Sequence, residues 1–185
     1  MKFIIFILFI LSLLIAPIFV FADCSKTGAT VIFVNGIFGT EASARADKDS
    51  LRDNFKNITK RSDVTFINGF NPSHVGGLID LTDSIMQAYG INGVDYDLTN
   101  ILLQAHIDLK TQKILLVGHS QGTFYTNTAY NYLVSHGVDK NSISVYNVAT
   151  PADRVEGNGG YLTSSTDEVI NSIIRNLAAI GSAGK

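Results

Sequence analysis

Ser120 is the residue whose neighbours best equip it for chemistry. It stands in Gly118-His119-Ser120-Gln121-Gly122, a Gly-x-Ser-x-Gly pattern. A serine hydroxyl is a weak nucleophile until a base takes its proton. The pattern alone is a weak signal, and its context strengthens it. "KILLV" before it has the apolar, branched character of a strand, and "TFYTNTAYNYLV" after it reads as a helix. A serine between those elements is held on a sharp, strained turn with its hydroxyl outward. There it faces the helix N-terminus, whose partial positive charge favours a developing anion. Gly118 and Gly122 carry no Cβ, so strand and helix can close around the turn.

The other reactive side chains form no competing site. His74, His106, His119 and His136 have no paired ligand spacing, so no metal is expected. "EGNGG" at 156–160 follows no strand-to-helix step and reads as a loop, not a phosphate cradle, and no dinucleotide fingerprint occurs. No cofactor is expected. Cys24 is the only cysteine, which excludes an intrachain disulfide, and its surroundings offer nothing to stabilise a thiolate. It is either a free thiol or paired outside this chain.

Positioning Ser120 needs a framework, and the sequence supplies an alternating one. Strands are expected at 29–36, 63–69, 113–118 and 141–150, with a short one inside 160–170. Helices are expected at 41–57, 78–89, 95–110 and 123–136, and a last one from 169 onward, while 71–77 is rich in turn residues. Gly137 suits the stop of the helix after Ser120. Such alternation implies an α/β fold: a parallel sheet with helices on both faces, and ligands at the carboxyl ends of its strands.

With strand, turn, serine and helix in that order, the chain resembles the α/β-hydrolase superfamily in its lipase and esterase branch. The resemblance covers about residues 29 to 170 and rests on four separated motifs. It implies a carboxylic ester hydrolase that works through an acyl-enzyme on Ser120. It also implies an oxyanion hole of two backbone N–H groups. One is that of Gln121. The other lies in "FVNGIFGT" at 33–40, which is similar to the His-Gly-x-x-Gly loop of lipases with Asn35 in place of histidine. By that match the second donor is Ile37, with Phe38 as runner-up, and the change at Asn35 matters little because the main chain makes the contact.

The family's order is serine, acid, histidine. The resemblance makes Asp167, in "YLTSSTDEVI", the acid, with Asp153 in "VATPADR" second. Either also suits a helix N-cap. The histidine should follow Asp167, on a loop after a further strand, and the sequence beyond Asp167 has neither. The chain is therefore expected to be incomplete relative to the family, lacking the last strand and the histidine loop. Among the histidines present, His119 is expected to be a packed support residue and His136 to sit at a helix end. His74 is the one at the correct end of the sheet. An inactive protein that keeps the fold as a binding module is the alternative.

Whole-chain properties set the frame. The 185 residues suit one domain, with 46% hydrophobic and 16% charged residues. A formal net charge of −2 gives no basic field for nucleic acid. The expected partner is a small-molecule or lipid ester. Residues 1–22 read as a signal peptide: Lys2, an apolar run from Phe3 to Phe21, then Val20-Phe21-Ala22 before Asp23. A secreted or periplasmic hydrolase domain at 23–185 follows, membrane-bound only if that segment is not cleaved.

Overall fold

The computed structural model describes residues 24–37, 39–72 and 94–171. The proposed signal segment, the helix expected at 78–89 and most of the last helix lie outside these residues. Within them, a five-stranded parallel sheet forms from β1 (Ala29–Val34), β2 (Val64–Gly69), β3 (Ile114–His119), β4 (Ile143–Val148) and β5 (Gly160–Leu162). Its order is β2-β1-β3-β4-β5 and every adjacent pair is parallel. The α/β class expected from the alternation is what the chain adopts.

Parallel strands cannot be joined by hairpins, so helices make the crossovers. Helix α1 (Glu41–Thr59) follows β1, α2 (Val94–Asp108) precedes β3, and α3 (Gly122–Ser135) follows it. Leu51 and Phe55 of α1 pack with Val31, Phe33, Val64 and Val117 on one face of the sheet. On the other face Leu98, Ile101 and Ala105 of α2, with Tyr125 and Ala129 of α3, meet Ile32, Val34, Ile67, Leu116 and Val145. The interior strand β1 is therefore buried through Val31–Val34 on both sides, as its continuous apolar run requires. Strand β4 alternates instead: Ile143, Val145 and Asn147 are buried while Ser144 and Tyr146 are exposed.

Local signals account for most element ends. Thr40 caps α1, its hydroxyl accepting from the Ser43 N–H at 3.1 Å. Helix α3 stops where Gly137 takes φ +91. The strand expected at 141–150 begins later, because Asp139 accepts from the Asn141 N–H and sets a short 3-10 turn at Lys140–Ser142.

Candidate functional site

Strands β1 and β3 lie side by side, yet the helices after them leave toward opposite faces of the sheet. That divergence falls at the carboxyl ends of the two strands, the edge at which open α/β sheets bind ligands. Ser120 and the loop from Asn35 to Thr40 both stand at this place.

Ser120 has φ +53, in the left-handed region that a non-glycine residue enters at a cost. Three bonds hold it there. Its N–H donates to the Val148 carbonyl at the end of β4 at 2.9 Å, and its carbonyl accepts from the Thr123 N–H at 3.0 Å and the Thr123 hydroxyl at 2.7 Å. The turn can be this tight because of its glycines. A Cβ on Gly122 would lie 2.3 Å from the Val34 carbonyl oxygen, and one on Gly36 would lie 2.8 Å from the Ser120 Cβ. The loop after β1 is thus pressed against the serine turn, which brings Ile37, half-buried beside Gly36, and Gln121 to the same edge of the sheet. Phe38 lies outside the described residues.

Buried amides tie the two loops together. Asn35, Asn71 and Gln121 are each at most 3% exposed. The Asn35 carboxamide accepts from the Asn71 N–H at 2.7 Å and donates to the Asn71 carbonyl at 3.1 Å and to the Gly36 carbonyl at 2.9 Å. The Asn71 carboxamide donates to the Gln121 side-chain oxygen at 2.9 Å and to the Asn35 carbonyl at 3.3 Å. The Asn35 side chain thus has buried partners of its own, apart from the main-chain contact expected of this loop. Sequence reasoning missed Asn71 as a site residue altogether. The available signal was that both β1 and β2 run out into an asparagine beside a turn, in "FVNG" and "NGFNP".

Asp167 follows β5, also at the carboxyl edge, two strands away from β3. Its Oδ1 accepts from the Ile170 N–H at 3.0 Å, so it caps the helical turn at 168–171. Asp153 is exposed, 3.5 Å from Arg154. Of the histidines, His136 ends α3, with Nδ1 2.8 Å from the Tyr132 carbonyl and its ring stacked on Tyr132. His106 is in the last turn of α2. In parallel βα units a helix that starts at the carboxyl edge ends at the opposite one, so His136 is remote from Ser120. His119 is exposed, not packed as expected. Its place in β3 puts it on the same face as Leu115 and Val117, past the cluster they form with Leu51 and Phe55. It borders Gly36, with Nδ1 3.2 Å from where a Cβ on that glycine would be. His74 lies outside the described residues.

No protein-family model matches the sequence, and no curated protein does. Among solved structures the chain is similar to a ferulic acid esterase, at a TM-score of 0.39 and 14% identity, over 84% of this chain and 56% of that one. The chain therefore spans just over half the length of that structure. The likeness is distant.

Proposed function

We propose that the chain is a serine hydrolase of the lipase and esterase type, acting on carboxylic esters through an acyl-enzyme. The observation that carries this reading is Ser120 at φ +53, between β3 and α3, pressed against the glycine loop of β1. Attack forms a bond from the Ser120 Oγ to the ester carbonyl carbon while the hydroxyl proton passes to a base. The tetrahedral oxyanion is met by the N–H groups of Ile37 and Gln121. Collapse breaks the carbon–oxygen bond to the alcohol, which leaves with a proton, and water then attacks the acyl group by the same route. Asp167 orients the base in this scheme. His106 and His136 are not placed to be that base.

A fluorophosphonate probe tests the reading. The native protein should be labelled strongly and the Ser120→Ala variant not at all. A native protein that stays unlabelled would overturn the claim of turnover. A second reading would then hold: a binding protein that keeps the hydrolase fold without catalysis. One feature favours it, namely that the Asp167 carboxylate is already engaged as a helix cap.

A further inference from the structure

The buried amides carry an inference that rests on the hydrolase reading and concerns how its oxyanion pocket is set. A peptide unit is planar, so fixing the direction of its C=O fixes that of the N–H on the far side. The Gly36 carbonyl and the Ile37 N–H belong to one such plane, and the Asn35 carboxamide holds that carbonyl at 2.9 Å. The Ser120 carbonyl and the Gln121 N–H belong to another, and Thr123 holds that carbonyl with both its N–H and its hydroxyl. Both candidate donors are thus aimed from behind, through their carbonyl partners.

Aim alone does not set the distance between the two planes. Asn71 does that. Its backbone is gripped in both directions by the Asn35 carboxamide, and its own carboxamide reaches the Gln121 side chain at 2.9 Å. The three residues follow three different strands, so the linkage spans β2, β1 and β3 at their carboxyl ends. Burying three primary amides is costly unless their donors and acceptors are met. Neutral amides meet one another without any dependence on protonation. Apolar residues of similar volume would fill the same space without fixing either peptide plane.

We propose that Asn35 and Asn71 are positioning residues for the oxyanion pocket: Asn35 aims the Ile37 N–H, and Asn71 sets its separation from the Gln121 N–H. Neither touches the substrate. The substitution Asn35→Asp keeps an acceptor for the Asn71 N–H but removes the donor to the Gly36 and Asn71 carbonyls. Asn71→Leu keeps its backbone bonds to the Asn35 carboxamide and removes its side-chain bonds to Gln121 and to the Asn35 carbonyl.

The experiment is fluorophosphonate labelling of the full chain, with the maximal inactivation rate and the probe's binding constant measured separately. Misplacing one donor should slow the maximal rate roughly 10- to 100-fold. Probe binding should stay within about twofold, since the pocket acts on the developing charge. Thermal unfolding must remain cooperative, and Asn71→Asp replaces any variant that does not fold. Variants labelled as fast as the native protein would overturn the proposal and leave the hydrolase reading standing. If the native protein itself is unlabelled, the hydrolase reading falls and the clamp is judged by NMR. In Asn71→Asp the amide resonances of Ile37 and Gln121 should then shift, and unmoved resonances overturn the proposal.

Discussion

At Ser120 the backbone and the packing state the same requirement. A left-handed serine costs about 1–2 kcal/mol, so the surroundings must hold it. They do so through the Val148 carbonyl, Thr123 and the close approach of Gly36 and Gly122. Gly122 gives the sharpest test, because two effects oppose there. Helix propensity alone says that Gly122→Ala at the start of α3 should stabilise by up to about 1 kcal/mol. The added Cβ, however, would meet the carbonyl oxygens of Val34 at 2.3 Å and Asn35 at 2.7 Å. Those atoms are backbone at the end of β1 and in the residue after it, and they cannot rotate aside. The clash should win, and Gly122→Ala should lose roughly 1–3 kcal/mol in urea unfolding. Fluorophosphonate labelling should fall with it. A variant as stable as the native protein would show that β1 and α3 are not held this closely.

At the scale of elements, strands were the most legible part of the sequence. The runs "ATVIFV" and "ILLV" are apolar on both faces because β1 and β3 are covered on both faces, and burial of that kind leaves no alternation to misread. The serine turn was legible for a similar reason, since strand, turn and helix are contiguous in sequence. The amide linkage was not. Asn35 and Asn71 are 36 residues apart, and Asn71 and Gln121 are 50 apart. Their meeting depends on β1 lying between β2 and β3, which no local pattern encodes. Asp167 was ambiguous for another reason: a carboxylate before a helical turn suits a cap and a triad equally, and the cap bond on one of its oxygens is compatible with both. The end of α1 is an element-scale feature that propensity can improve. Lys60 sits there at φ +58, with its N–H bonded to the Lys56 carbonyl. Glycine takes this conformation without the Cβ penalty. Lys60→Gly should therefore raise stability by about 0.5–1 kcal/mol, or roughly 1–4 °C in the thermal midpoint. Lys60→Ala, which keeps the strain and loses the cation, should show no gain. Equal midpoints for the two variants would mean that strain at this cap is not what limits α1.

For the molecule as a whole, the β5 edge of the sheet is held by polar ties to its neighbours. Strand β5 is exposed along its length, and the loop that leads to it is fastened to α3 instead. Asn127 of α3 donates to the Arg154 carbonyl at 2.9 Å and accepts from the Glu156 N–H at 3.1 Å. Glu156 in turn accepts from the Arg154 guanidinium at 2.8 Å. That hydrogen bond is the main reason its carboxyl lies below the usual carboxylate range, with Asn131 and the Arg154 charge adding to it and partial burial opposing it. A carboxyl whose pKa is lower in the folded state stabilises the fold above the unfolded value, about 4.3. That contribution is lost as pH falls through the folded value. Arg154 is 67% exposed, so solvent screens the pair and its worth at pH 7 is at most about 1 kcal/mol. Glu156→Gln keeps an acceptor but not the charge. It should unfold at lower urea than the native protein at pH 7, and the gap should narrow from there toward pH 3 as the carboxyl takes up its proton. Added salt at pH 7 should narrow the gap as well. A gap of the same size at both pH values would show that shape and neutral hydrogen bonding, not charge, fasten this loop to α3.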